Sequence, residues 1–229
     1  MVLPGIGAPL GGHIPELTSA YLHTVEDTAL GASKSLSINL GDGATLLAVT
    51  YRHIASAGIS PYVDDLQIDG VPTVRLRHRA FNIYSNDNAR GTLEWHVLET
   101  SSKTGAALTA SGPNNFRMRA FVWELNRLPF LFAEGGFNEG STTTDSIAEA
   151  EVATEPGSTL FGLQHQGYSV STAPTRSGFT DDAGPVSLAG TQASSRVWVG
   201  RNTTPANPQL VSISSVNAAT HLVDMLVLS

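Results

Sequence analysis

Hydrophobic and polar residues alternate with a period of two in several short segments of the chain. The clearest examples are 35–40, 93–98 and 117–125, where every second residue is apolar for most of the segment. Successive side chains of a strand point to opposite faces, so this pattern predicts strands with one buried face. Thr45–Tyr51 is almost wholly apolar, which predicts a strand buried on both faces. No segment shows a clear helical stripe.

Turn-forming residues separate these predicted strands at short intervals. Asp69-Gly70 lies between the strand-like segments 66–68 and 71–76, and this dipeptide favours a tight hairpin turn. Clusters of Gly, Ser, Thr, Asn and Pro occupy 100–105 and 111–115. Many short strands with frequent turns are typical of all-β proteins. The sequence therefore predicts an antiparallel β-sandwich that is jelly-roll-like.

Two pairs of segments indicate an internal duplication. The pattern of 34–51 matches that of 148–165 at an offset of 114 residues, with Gly43 over Gly157. The pattern of 107–125 matches that of 210–228 at an offset of 103 residues. We therefore expect two tandem sandwiches, residues 20–128 and residues 129–229. The alternative is one larger, intertwined jelly roll.

Residues 1–19 are predicted to form an extended arm rich in Gly and Pro. Pro4, Pro9 and Pro15 disfavour both a helix and a central strand. The segment lacks the basic region and apolar core of a secretory signal, and no stretch of the chain is long and apolar enough to predict a membrane helix. The arm is either a frayed tail or a segment that lies on a neighbouring subunit.

Composition narrows the range of functions. The chain has 229 residues, 13 Lys+Arg against 20 Asp+Glu, and no cysteine. The net charge of −7 argues against a nucleic-acid binder, which needs a basic face. The absence of cysteine excludes disulfides, thiolate metal sites and cysteine nucleophiles.

The candidate catalytic residues do not form a recognised motif. The seven histidines show no metal-binding spacing, and the clusters Asp64-Asp65 with Asp69, Asn86-Asp87-Asn88 and Asp181-Asp182 lack the calcium-loop pattern. No G-x-S-x-G elbow occurs. The sequence therefore predicts no catalytic residue, no metal and no cofactor.

A glycan hydrolase would need two carboxylates beside a sugar platform, and Glu94 and Glu124 are the best candidates. Each is next to a tryptophan, Trp95 or Trp123, which could line such a platform. The competing expectation is that both carboxylates face solvent or pair with Arg117 or Arg119. On the same competing view the tryptophans are core or interface anchors.

The most informative polar segment is 74–79, VRLRHR. In a regular strand it places Arg75, Arg77 and Arg79 on one face, with Leu76 and His78 on the other. Like charges in a row repel, so we expect opposing carboxylates on a neighbouring strand or subunit, or an anionic partner. These three arginines are the candidate interface or recognition residues.

Taken in order, several of these segments resemble the β-sandwich modules found in tail fibres, baseplate attachments and capsid decorations of tailed bacteriophages and phage-like particles. The resemblance is carried by Leu36–Leu40, Gly43, Leu46–Val49, Asp69-Gly70-Val71-Pro72, Thr109–Gly112 and Arg119–Leu125. It covers about residues 20–128 well and the second half faintly. The arginines of 75–79 are not part of the module.

This resemblance implies a non-enzymatic virion structural protein, tail- or fibre-associated or capsid-attached, assembled in the host cytoplasm. The expected partners are other virion proteins and copies of the chain itself, with a trimer favoured. A host-surface glycan is a further possible partner, whereas nucleic acid and membrane are not expected. The alternative functions are a carbohydrate-binding module and a glycan hydrolase.

Overall fold

The computed structural model describes residues 16–54, 63, 65–82, 89–140, 146–167, 174–187, 196–215 and 220–229. All the regular elements in these residues are strands, and every strand pairing is antiparallel. The predicted all-β, antiparallel sandwich class is confirmed. Residues 1–15 of the predicted arm, Asp64 and the Asn86-Asp87-Asn88 cluster lie outside the described residues.

The first half of the chain forms one seven-stranded sheet, sheet A. Its strands are β1 (Ser19–Leu40), β2 (Gly43–Ile54), β3 (Asp65–Ile68), β4 (Val71–Pro72), β5 (Val74–Asn82), β6 (Ala89–Thr100) and β7 (Lys103–Leu125). The strand order is β4-β3-β7-β2-β6-β5, and β1 also pairs with β7. Because β1 and β7 are 22 and 23 residues long, they run through both layers of this half and fold the sheet back on itself.

The second half forms two smaller sheets. Sheet B has the order β12-β13-β10-β15-β8, and sheet C has the order β11-β14-β9. The strands are β8 (Leu131–Gly140), β9 (Ser146–Val152), β10 (Thr159–Gly167), β11 (Thr175–Ser177), β12 (Thr180–Ser187), β13 (Arg196–Asn202), β14 (Gln209–Ser215) and β15 (Thr220–Leu228).

Three hydrophobic clusters fill the spaces between the layers. The first-half core lies between the two layers of sheet A and includes Leu47, Val49 and Leu108. The second-half core lies between sheets B and C and includes Met225 and Val211. A third cluster joins sheet A to sheet B and draws its residues from both halves. The large layer of each half is therefore covered on both faces, as the apolar run Thr45–Tyr51 predicted.

The two halves repeat one pairing scheme. In the first half β2 pairs with β6 and β7, and β6 pairs with β5. In the second half β10 pairs with β13 and β15, and β13 pairs with β12. The pairing of β1 with β7 recurs as two separate pairings, β8 with β15 and β9 with β14. In the second half, two separate strand pairs therefore take the place of the long β1–β7 pair. Sheets B and C are separate for this reason, whereas sheet A is continuous.

This repetition corrects one detail of the sequence match. The offset of 103 residues between 107–125 and 210–228 preserves the faces, since Val122 and Met225 both lie in the core of their own half. Those residues pair with Leu47 and Gly162, which sets the offset between β2 and β10 at 115 residues rather than 114. The predicted alignment was wrong by one residue, and such a slip exchanges the two faces of a strand.

Local predictions are confirmed in several strands. Asp69 and Gly70 both have positive φ, 50° and 79°, and they connect the paired residues Ile68 and Val71. The alternation over 35–40 appears as exposed and less exposed positions in turn. The predicted boundary near residue 128 falls between the end of β7 at Leu125 and the start of β8 at Leu131. The independence of two tandem sandwiches stays a prediction.

Candidate functional site

The most elaborate arrangement of side chains lies at the contact between the two halves, which we call the inter-half interface. At its centre Trp95 and Trp123 stack with ring centroids 6.0 Å apart. Phe161 of the second half meets Trp123 edge-on at 5.9 Å. All three rings are fully buried. The tryptophans therefore anchor the interface between the two halves, as one of the two expectations stated. They do not form a solvent-facing sugar platform.

On one side of these rings, first-half donors surround the carboxylate of Asp224. Trp95 Nε1 donates to Asp224 Oδ2 at 2.9 Å, and the Nε atoms of Arg77 and Arg79 donate to Oδ1 at 2.8 and 3.2 Å. Asp224 is fully buried. Burial raises the pKa of Asp224, and the charge and hydrogen bonds of Arg77 act against that rise. We call these four residues the Asp224 cluster.

The two arginines of the Asp224 cluster also bind the backbone of β8. Arg77 Nη2 donates to the Gly135 carbonyl at 3.1 Å, and Arg79 Nη2 donates to the Gly136 carbonyl at 2.6 Å. A Cβ on Gly136 would lie 2.6 Å from Asp224 Oδ1 and 2.8 Å from Arg79 Nη2. Glycine at this position thus permits the close approach of β8 to the arginines.

A second set of polar contacts lies on the other side of the stacked tryptophans. Trp123 Nε1 donates to Asp182 Oδ2 at 2.7 Å, and Arg201 Nε donates to Asp182 Oδ1 at 3.1 Å. Arg201 Nη1 also donates to the backbone oxygen of Ser19, in the first half. Each tryptophan therefore donates its one polar hydrogen to a second-half aspartate that an arginine also binds.

The three arginines singled out from the sequence do not share one face. A register shift between Arg75 and Arg77 places Arg75 opposite His96 and Arg77 opposite Trp95. Because this bulge adds a residue to β5, the prediction of one arginine face was wrong. Arg77 and Arg79 face the second half, whereas Arg75 Nη1 bonds Glu94 Oε1 at 3.3 Å on the other side of the sheet. The opposing carboxylates are Asp224, Glu134 and Glu94.

Glu94 belongs to a chain of buried polar groups. His96 Nε2 lies 3.0 Å from Glu94 Oε2, and His96 Nδ1 lies 2.8 Å from Thr73 Oγ1. A hydroxyl, an imidazole and a carboxylate in series resemble a nucleophilic triad. However, the Thr73 hydroxyl donates its proton to the Leu66 carbonyl at 2.9 Å. The Thr73 hydroxyl is thus shared between the Leu66 carbonyl and His96 Nδ1, and the chain of contacts ties the start of β5 to β3 and β6.

Of the two candidate hydrolase carboxylates, Glu94 is placed differently from either expectation, whereas Glu124 is partly exposed. Glu94 neither faces solvent nor pairs with Arg117 or Arg119, since it is buried and bound to Arg75 and His96. Glu124 Oε1 accepts a hydrogen bond from the backbone of Asp42 at 3.2 Å. Both glutamates therefore have hydrogen-bonding roles within sheet A and its turns.

Two further histidines are buried in sheet B. His165 and His221 lie on the neighbouring strands β10 and β15. Burial lowers the pKa of His165 to about 3, with a further contribution from His221, and burial lowers the pKa of His221 to about 4. Both side chains are thus neutral imidazoles near pH 7. Among the described residues, no three His, Asp or Glu side chains are grouped as metal ligands would be.

The described end of the predicted arm lies on the inter-half interface. Leu17 is buried in the cluster that joins the two halves. The Asn126 side chain fixes this segment by accepting from the Thr18 amide and donating to the Glu16 carbonyl, both at 3.0 Å. Residues 16–18 are therefore held at the junction of the two halves.

An apolar segment stands exposed where the first half passes into the second. We call Leu128–Phe132 the connector segment, and its apolar side chains include Leu128, Phe130 and Phe132, at 45, 57 and 43% exposure. Phe130 exchanges two backbone hydrogen bonds with Ser229 at 2.7 and 3.0 Å, which holds the segment beside the end of β15. The segment from Leu128 to Ala133 contains no charged residue.

The sequence pattern did not reveal the second-half aspartates that connect the halves. Asp224 interrupts the apolar run 222–228, and Asp182 was noted only as part of the acidic pair Asp181-Asp182. A lone carboxylate inside a strand buried on both faces is a usable signal, since such a charge needs buried partners.

Comparison of the chain with family models, with curated proteins and with solved structures found no match. No helix suited to crossing a bilayer occurs in the described part of the chain.

Proposed function

We propose that the chain is a non-enzymatic structural subunit of a tailed-bacteriophage or phage-like particle, tail- or fibre-associated or capsid-attached. The proposal begins from the resemblance of residues 20–128 to the β-sandwich modules of such particles. The repeated pairing scheme and the shared cluster between the halves support it, because they join two sandwich-like units into one body.

The use of the buried charges agrees with a structural role. In the Asp224 cluster, hydrogen bonds of 2.8–3.2 Å connect the carboxylate to three donors of the other half. Such a contact fixes the orientation of two bodies better than apolar packing alone, since hydrogen bonds are directional. A particle component that transmits contacts between neighbours requires this fixed orientation.

The observation that carries the proposal is the exposed connector segment. Leu128, Phe130, Leu131 and Phe132 are each more than 40% exposed and lie consecutively except for Pro129. Contiguous exposed apolar surface marks a site of protein association. An uncharged apolar segment favours an equally apolar partner, and the same segment of a second copy satisfies that requirement. The chain is thus proposed to assemble with its own copies and with other particle proteins.

Sedimentation velocity over a wide range of concentrations tests the association. The wild-type chain should form an oligomer, and the double variant Phe130→Ser with Phe132→Ser should sediment as a monomer. Leu210→Ser is the matched control, because Leu210 is similarly exposed, at 42%, but lies on β14 of sheet C. A wild-type monomer, or equal loss of association in the control, contradicts assembly through this segment.

The particle itself provides the second test. Purified particles made by the phage or prophage that encodes the chain should contain it, both by mass spectrometry and by immunogold labelling. The label should be confined to one structure, either the tail or the capsid. Absence of the chain from particles that contain the other structural proteins would refute a virion role, even if the isolated chain forms oligomers.

A further inference from the structure

Strand β8 lies at one end of sheet B, so one of its edges faces away from the sheet. In the strand order β12-β13-β10-β15-β8, its neighbour in the described part of the chain is β15. Phe130 exchanges two backbone hydrogen bonds with Ser229, and Leu131 is the next residue, opposite Leu228. In an antiparallel pair the residue after such an exchange directs its N–H and C=O away from the partner strand. The backbone of Leu131 therefore points to the open edge of β8.

The accessible part of this edge is its beginning. Further along the strand, the carbonyls of Gly135 and Gly136 accept hydrogen bonds from arginines of β5. Strand β9 also lies close there, since a Cβ on Gly135 would be 3.6 Å from the backbone oxygen of Glu151. By contrast, Leu131 and Phe132 are 41 and 43% exposed. A partner therefore reaches β8 most readily at its first residues.

Open strand edges usually carry residues that prevent pairing with another chain, such as charged residues and prolines. The other strands at the ends of the described sheet orders follow this rule. They are β4 with Pro72, β5 with Arg75, Arg77 and Arg79, β9 with Glu149 and Glu151, β11 with Arg176, and β12 with Asp181, Asp182 and Pro185. The first residues of β8, Leu131 to Ala133, include no charge and no proline. The start of β8 is therefore suited to pairing with a further strand.

A second copy of the chain is the partner that the charges around this segment favour. Residues 128–133 are uncharged and lie between Arg127 and Glu134. When two copies of the segment run antiparallel, Arg127 of each copy lies near Glu134 of the other, whereas a parallel arrangement sets like charges side by side. Both side chains already have contacts within the chain, including that of Glu134 with Arg77, so they favour an orientation and add little affinity.

We propose that two copies of the chain pair through their β8 edges, antiparallel about a two-fold axis at Leu131. The backbone of Leu131 points outward, and this residue lies beside the midpoint of the uncharged segment, so each copy exchanges its Leu131 N–H and C=O with the other. The two five-stranded B sheets then form one continuous sheet. Such a pair is closed, because both copies use the same edge. It is therefore a dimer contact, in contrast to the trimer that the resemblance implied. The inference rests on the association proposed for the connector segment and adds how two copies join.

Cysteine cross-linking tests this geometry, because the chain has no cysteine of its own. Opposed Cα atoms of a hydrogen-bonded pair lie about 5.5 Å apart, within the span of a disulfide. In a glutathione redox buffer, Leu131→Cys should form a covalent dimer at least about tenfold faster than Leu210→Cys or Phe137→Cys. Leu210 and Phe137 are each 42% exposed, but Leu210 lies on sheet C and Phe137 lies further along β8. Equal rates for the three variants overturn the proposal.

Leu131→Pro is the second test, since proline removes the outward N–H donor at an edge position and leaves the bonds between Phe130 and Ser229 in place. In sedimentation velocity this variant should be a monomer. Leu131→Ala keeps the N–H donor and should stay associated. A proline variant that folds and associates as the wild type does overturns the pairing of the two edges.

Hydrogen exchange of the wild-type chain keeps the proposal testable if Leu131→Pro does not fold. The Leu131 amide should exchange more slowly as the protein concentration rises, because pairing protects it. Association that the variant Phe130→Ser with Phe132→Ser removes, but that adds no protection at Leu131, overturns edge pairing and leaves the proposed association intact. A wild-type monomer at all concentrations overturns both.

Discussion

Trp95 and Asp224 are 129 residues apart in the chain, and the indole Nε1 of the first donates to the carboxylate of the second at 2.9 Å. The bond crosses between the two halves inside a cluster that excludes solvent. Arg77 and Arg79 bind the same carboxylate, so three first-half side chains depend on one acidic side chain of the second half. This dependence gives the first prediction.

Replacing Asp224 with alanine should lower the free energy of unfolding by about 3–5 kcal/mol, because it removes the buried carboxylate that Arg77, Arg79 and Trp95 share. Urea unfolding at neutral pH measures the change. Glu134→Gln is the matched control, since Glu134 binds the same arginine but is about half exposed. Its cost should stay below about 1 kcal/mol. Equal costs for the two variants would mean that Asp224 does not organise the interface.

Gly162 should tolerate no side chain, because the ring of Phe179 occupies the space beside it. A Cβ at position 162 would lie 2.4 Å from Phe179 Cε1. Gly162→Ala should therefore destabilise the chain by about 1–3 kcal/mol, through displacement of the ring. In Gly31→Ala the new Cβ would meet its nearest atom at 3.4 Å, so that variant should change stability by less than about 0.5 kcal/mol. Thermal unfolding of both variants measures the difference.

Acid should destabilise the protein through His165 and His221. Their pKa values are about 3 and about 4 in the folded chain, against an ordinary value of 6.5. Below pH 6.5 the unfolded chain binds protons at these positions and the folded chain does not, so stability falls as the pH falls toward 3. The contribution of these two histidines to the free energy of unfolding is fully present above pH 6.5. Asp224 has the opposite effect on the pH dependence. Because burial raises its pKa, the folded chain binds this proton more tightly than the unfolded chain, and the contribution of Asp224 to stability falls as the pH rises.

Urea midpoints measured from about pH 7 to about pH 4 give the size of this effect. His165→Gln cannot take up a proton, so its stability should depend less steeply on pH than that of the wild type. His23→Gln is the comparison, since His23 is less buried and its pKa is lowered without reaching such a low value. If His165→Gln leaves the dependence of the urea midpoint on pH unchanged, His165 is protonated equally in the folded and the unfolded chain.

Thr73 should act as a hydrogen-bond bridge and not as a nucleophile. Thr73→Val removes the hydrogen-bond partner of His96 Nδ1 and one donor to the Leu66 carbonyl, so it should cost about 1–3 kcal/mol in urea unfolding. Thr73→Ser keeps the hydroxyl and should retain most of the stability. Covalent labelling of Thr73 by an electrophilic phosphonate probe would contradict this assignment, because it requires an activated hydroxyl.

Period-two patterns predicted the strands well because they depend on neighbouring residues only. In 117–125 the chain places Met118, Ala120 and Val122 in one core and Phe121 and Trp123 in another, as the alternation required. The same reasoning failed at Arg75 and Arg77, because a bulge depends on how β5 meets β6 and not on local pattern. The faces of a strand can be read from its sequence only where the register is regular.

The sequence alone determined the all-β class, the hairpin at Asp69-Gly70 and the existence of a repeated pattern, since strand alternation and turn chemistry act over a few residues. The tertiary structure decided that the large layers of the two halves pack together, that Asp224 receives Trp95, Arg77 and Arg79, and that β8 lies at the end of sheet B. These features join residues separated by up to 147 positions. Partners at such separation are chosen by the packing of whole sheets, which no local pattern encodes.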